Sequence, residues 1–134
     1  MLARRTLLVT LAALAACRAR RDAAELLPET VAGKWRRAAR GDVPVAEAPE
    51  PPAKNTVRRA VRAAYEGPGK IEVTLYELTS SASALDAVQR FRHAPETVFF
   101  HRDEFFTVVR WEGADRDTVG EFVRALEKHM AAAR

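Results

Sequence analysis

Apolar and polar residues change rhythm along this chain, and the changes divide it. Thr6 to Ala16 is apolar almost throughout, behind Arg4 and Arg5. From Arg18 to Asn55 large apolar side chains are sparse, and Pro44, Pro49, Pro51 and Pro52 crowd one part of the stretch. From Val57 the pattern becomes regular. Val57, Ala60, Val61, Ala64 and Tyr65 fit a helical stripe, while Val57, Val61, Ala63 and Tyr65 also fit one face of a strand. Glu66-Gly67-Pro68-Gly69 is a turn. Lys70 to Leu78 then alternates, with Ile71, Val73 and Leu75 on one side and Glu72 and Thr74 on the other. Runs of matched length around that turn favour a hairpin, so a strand is expected over 57–65.

Thr79-Ser80-Ser81 supplies N-cap oxygens, and Ala84, Leu85, Val88 and Phe91 follow at helical spacing. That helix must stop before Pro95, which disfavours a helical residue ahead of it. Thr97–His101 and Phe105–Trp111 are rich in aromatic and β-branched residues, with Arg102-Asp103-Glu104 as the turn between them. Asp115 opens a second helix with the stripe Val119, Phe122, Val123, Leu126 and Met130. Gly120 inside it costs about 1 kcal/mol relative to Ala, an expense consistent with close approach to the sheet. Strand-strand-helix, twice, predicts an α+β fold: a four-stranded, mostly antiparallel sheet with both helices on one face (ββα-ββα). The other face would be more polar, through Arg58, Arg62, Glu72 and Thr74.

A basic start, a short apolar middle and a small-residue end make residues 1–16 a secretory signal. The run is shorter than the roughly 20 residues a membrane-spanning helix needs. Leu14-Ala15-Ala16-Cys17 resembles the lipobox of bacterial lipoproteins. The resemblance implies cleavage before Cys17, the only cysteine, and diacylglycerol on its sulfur. A free thiol in an oxidising compartment would be a liability. Acyl chains contribute about 0.8 kcal/mol per buried methylene, and two or more hold a protein stably on a membrane. In lipoproteins of double-membraned bacteria an aspartate after the cysteine marks inner-membrane retention. Arg18 there implies the outer membrane, with the protein facing the periplasm or the cell exterior.

Three segments follow: a signal peptide over 1–16, a lipid-anchored tether with a Pro-rich linker over 17–56, and an α+β domain over 57–134. Residues 38–55 read as an extended spacer without fixed structure. Within the tether Trp35 stands out. It is expected to dock on the domain and pin the segment, the alternative being a binding surface or a ring at headgroup level.

Removing 16 of 134 residues leaves 118, enough for one small domain, and lowers the formal charge from +4 to +2. The charge is uneven: residues 18–64 carry 11 basic and 6 acidic side chains, and residues 65–134 carry 9 and 12. A basic segment beside a lipid anchor suits anionic headgroups. Export, and arginines without interleaved aromatics, argue against nucleic acid.

Leu27-Pro28 with Gly33 and Trp35, Ala64-Tyr65-Glu66-Gly67, Val73-x-Leu75-Tyr76, Ala84 to Phe91, and Val98-Phe99-Phe100 before Phe105-Phe106-Thr107-Val108-Val109 together resemble a family of uncharacterised small bacterial lipoproteins. The resemblance covers most of the mature chain and implies a shared fold. It transfers no catalytic residue.

The catalytic inventory is thin. No nucleophile elbow, zinc-protease helix motif or phosphate-cradling glycine loop is present. His101, Asp103 and Glu104 sit near a hairpin tip, where alternation would put His101 and Asp103 on one side. Two or three weakly spaced ligands do not make a metal motif, so neither metal nor cofactor is expected. Phe99 and Phe100 must point oppositely, as must Phe105 and Phe106. Aromatic surface is therefore expected on the face away from the helices, making Phe99, Phe106 and Trp111, with Trp35, candidate partner-binding residues. Three functions compete. The first is a membrane-anchored, non-catalytic binding or adaptor module for an envelope protein. The second is a periplasmic small-molecule binder with a cavity between sheet and helices. The third is an envelope enzyme using His101 with Asp103 or Glu104.

Overall fold

The computed structural model describes residues 22–48 and 52–133. The lipobox and Cys17 lie outside the described residues, as do 49–51. Six strands form one antiparallel, half-barrel sheet. They are β1 (Thr30–Val31), β2 (Trp35–Val43), β3 (Val57–Glu66), β4 (Lys70–Leu78), β5 (Thr97–Arg102) and β6 (Phe105–Glu112). Their order across the sheet is β1-β2-β3-β4-β6-β5. Two helices accompany them, α1 (Ser81–Arg90) and α2 (Arg116–Ala132).

The α+β class, the strand at 57–65 and both expected hairpins are present. The four-stranded sheet is not: residues placed in the tether add β1 and β2. β2 pairs with β3 from Arg36↔Glu66 to Val43↔Ala60, with a bulge between Arg37 and Ala39. No proline interrupts 35–43, and Pro44 ends the strand. Ala38, Ala39 and Gly41 are poor strand formers, so β2 exists through its pairing with β3 rather than through propensity. The rest of the expected spacer is also folded in part. A 3-10 turn spans Val45–Glu47 and another Lys54–Thr56, Lys54 donates to the carbonyls of Val45 and Ala48, and Ala48 is buried.

The helices do not share a face. Facing α2 are Val61, Ala63 and Tyr65 from β3, Ile71, Val73 and Leu75 from β4, and Phe105, Val109 and Trp111 from β6. They pack on Val119, Phe122, Leu126 and Met130. The opposite side chains Ala60, Tyr76, Leu78, Phe106 and Val108 pack on Ala84 and Ala87 of α1. Strand alternation dictates this division, because cross-strand partners such as Val61↔Leu75↔Thr107 and Ala60↔Tyr76↔Phe106 stay on one face. A sheet apolar on both faces needs cover on both. The contact face of α1 is built of alanines with Val88 and Phe91, and Leu85, assigned to the stripe, is 45% exposed.

The caps sit where sequence puts them: Ser80 accepts from Ser83 N at 3.1 Å and Asp115 from Thr118 N at 2.8 Å. Gly69 is required by crowding, since a Cβ there would lie 2.6 Å from the Gly113 carbonyl oxygen. Gly120 is not. A Cβ on it would meet only the Arg124 guanidinium, at 3.3 Å, and no sheet atom. Gly120→Ala should therefore raise stability, by up to about 1 kcal/mol in urea unfolding, because the exposed Arg124 side chain can move aside.

The N-terminal arm belongs to the α2 face. A 3-10 turn, Ala23–Leu26, buries Ala23 and Leu26, and Leu27 and Val31 join the same core. Trp35 is 1% exposed and meets Phe122 edge-on, ring centroids 5.7 Å apart. Trp35→Ala should cost about 3–5 kcal/mol in urea unfolding, whereas a tryptophan in a loose tether would cost almost nothing.

Candidate functional site

The four aromatic candidates do not form one patch. Trp35 and Trp111 face α2, Trp35 sealed beneath Phe122 and Trp111 only 8% exposed. Phe106 faces α1 and is fully buried among Tyr76, Phe91 and Phe99, at ring distances of 6.0, 5.8 and 6.4 Å. Phe99 is half-buried, its ring on Phe91 at 4.5 Å and on His93 at 5.2 Å. The expected aromatic surface away from the helices is covered because α1 and the residues after it lie on it. Consecutive aromatics at 99–100 and 105–106 were themselves the sign that both faces need a helix.

The His101 hairpin is also rearranged. β5 ends at Arg102, and Asp103-Glu104 form a two-residue turn with Asp103 at φ +54. His101 is half-buried in the α1 face opposite Phe106, its Nδ1 without a hydrogen-bond partner. Strand alternation therefore does not continue to Asp103. Among the described residues no three His, Cys, Asp or Glu are grouped to hold a metal ion.

The part of the α1 face that α1 leaves open is polar and self-complementary. Its register runs Arg36↔Glu66↔Lys70↔Glu112 in one row and Ala64↔Glu72↔Arg110 in the next. Opposite charges across strands stabilise such rows, and the shallow depression there, about 350 Å3, is lined by all of these groups except Arg36, with Tyr65, Ile71 and Trp111. A larger depression, about 590 Å3, lies at the β5 edge beside Val88, His93, Phe99 and Arg116.

The most organised polar cluster is one that residue-by-residue reading missed, where the N-terminal arm meets β2 and β3. Arg59 binds Asp42 through two nitrogens, at 2.9 and 3.0 Å, and Asp22 through a third at 2.6 Å. Arg37 donates to the Leu27 carbonyl at 2.6 Å and Arg40 to the Ala24 carbonyl at 2.7 Å. Tyr65 donates to the Pro28 carbonyl at 2.6 Å, and His129 of α2 lies 3.2 Å from the Glu25 carbonyl. The arm's carbonyls are thus met by side chains from β2, β3 and α2. Each arginine spends only part of its five-donor fork on the arm. Along the open edge of β2, Glu29, Arg36, Arg37, Ala38, Ala39 and Arg40 line a depression of about 360 Å3. The signal available in sequence was the clustering of arginines at 36–40 and 58–62 around a buried tryptophan and tyrosine.

The electrostatics follow the geometry. The Ala24 amide, then Arg59, holds the Asp22 carboxyl below its ordinary value. Arg59 does the same to Asp42, and the two carboxylates push the Arg59 guanidinium up. Burial drives the Tyr65 phenol up. Lowered carboxyl values stabilise the fold above the unfolded value, near 3.8, and that contribution fades as pH falls through the lowered folded values. Arg59→Gln should therefore destabilise at pH 7, with the gap from wild type closing as acid unfolding is followed below about pH 4. Tyr65→Phe should cost about 1 kcal/mol at either pH, from the lost bond to Pro28.

Comparison with protein-family models, with curated proteins and with solved structures returns no match to this chain.

Proposed function

We propose that this chain is an exported lipoprotein, anchored in the cell envelope through acylated Cys17, whose domain serves as a non-catalytic binding module held close to the membrane. The observation that carries this reading is how near to Cys17 a residue is fixed to the domain. Asp22 is already bound to Ala24 N and Arg59, and it follows Cys17 by only five residues. Five residues span at most about 17 Å. The spacer expected over 38–55 is folded in part into β2 and the turns after it, and the domain of an acylated chain stays within that short distance of the lipid surface. The shifted titratable groups support a structural rather than a catalytic use, since each is accounted for by a cap, a burial or the arm cluster. Among the described residues no helix is long and apolar enough to cross a membrane.

The second reading, small-molecule binding, is favoured by the depression at the β5 edge. It would use the strand edge, not a cavity between sheet and helices.

In a bacterium that processes lipoproteins, the N-terminal peptide of the membrane-bound protein should begin at Cys17 and carry the mass of its acyl chains. Cys17→Ser should abolish both processing and membrane retention. A mature protein with a free Cys17 thiol, recovered from the soluble fraction, would overturn the reading. Envelope crosslinking with Cys17→Ser as control then tests the binding role, which requires a partner captured by the anchored form alone.

A further inference from the structure

We infer that the β2 edge, centred on Arg36, Arg37 and Arg40, is the face the domain lays on anionic phospholipid headgroups. The inference rests on the lipid-anchored reading for its geometry and deepens it by naming the surface and its ligand. Three observations carry it. The chain outside the described residues leaves from Asp22, and five residues limit how far that point can stand from an acylated Cys17. Arg40 is fastened to Ala24 and Arg37 to Leu27, so the exit point and these guanidiniums move as one body. Arg36 and Arg40 are exposed, and with Arg37 they line one shallow depression along an open strand edge.

Charge complementarity agrees. Residues 18–43 carry seven basic and four acidic side chains, and Asp22 and Asp42 are both engaged by Arg59. Glu29 also lines the depression and Glu66 stands opposite Arg36 on β3, and both lower its net charge. Three of those seven basic side chains, Arg18, Arg20 and Arg21, lie between Cys17 and Asp22 in the sequence. Arginine forks left with free N–H donors suit phosphate oxygens. Pairing along the outer edge of β2 reaches from Trp35 to Arg37, whose N–H donates to the Glu29 carbonyl at 2.8 Å, so the strand from Ala38 onward is open to headgroup contact.

The test uses residues 17–134 with Cys17→Ser, the mature chain without its acyl group, which contains every described element. Sedimentation is measured with vesicles of phosphatidylcholine alone and with about one third phosphatidylglycerol. Binding is expected to the anionic vesicles only and to fall with salt. The double variant R36Q/R40Q should weaken it by at least tenfold, from roughly fivefold per arginine removed. R36K/R40K should restore it, and R90Q/R92Q, on and just after α1, should leave it unchanged. Thermal melts confirm that each variant is folded, and Arg36→Gln alone, which touches no arm contact, should still lose severalfold. Equal binding by wild type and R36Q/R40Q would overturn the inference. So would an equal loss in R90Q/R92Q, which would mean net charge alone is sensed. No acyl chain takes part, so the outcome is independent of whether Cys17 is modified.

Discussion

A sheet whose central strands are apolar on both faces imposes the rest of this architecture. Tyr65, Ile71 and Val109 point one way and Ala60, Tyr76 and Phe106 the other, and all are buried. Each fully buried large side chain contributes roughly 1.5–3 kcal/mol relative to exposure, so neither face can be left to water. α2 is long and carries Phe122, Leu126 and Met130, yet it shares its face with the arm, whose Leu26 and Leu27 complete the core. α1 is short and alanine-faced, and it needs help from Ala48 and the rings of Phe91 and Phe99. The segments at 22–31 and 45–48 are thus structural cover rather than spacer.

Strand β2 is the joint of this arrangement. It is stitched to β3, it starts with the buried Trp35, and its arginines hold the arm by the carbonyls of Ala24 and Leu27. Backbone carbonyls outside regular pairing must find donors, and here long cationic side chains supply them from a strand edge, part-buried at Leu27 and exposed at Ala24. The same residues are left with charge and donors facing outward. Arg37 and Arg40 fasten the arm from this edge, and headgroup contact is the second use proposed for it, together with Arg36 on the other face of the strand.

Local pattern made most elements legible. The α2 stripe, both hairpins and both N-caps follow from residue spacing and cap chemistry. The misreading came from composition: Ala38 to Gly41 have low strand propensity, and the prolines that follow suggested a spacer beginning too early. Strand β2 is specified by pairing and by what Trp35 buries, neither of which is local. Placing the helices failed for a different reason. Helical stripes say that a face is apolar but not which sheet face it meets, while the paired phenylalanines at 99–100 and 105–106 carried that information. The arm cluster needed three dimensions, because Asp22, Asp42 and Arg59 are far apart in sequence and meet only once β2 is paired.

Native-state hydrogen exchange along β2 tests the folded arm most directly. Amides of 36–43 that bond to β3 should be protected to a level near that of β3 and β4, and should lose protection together with them in denaturant. Exchange of 36–43 at the rate of an unfolded chain, with 57–133 still protected, would return the segment to a tether and remove the basis for the proposed placement of the domain at the membrane.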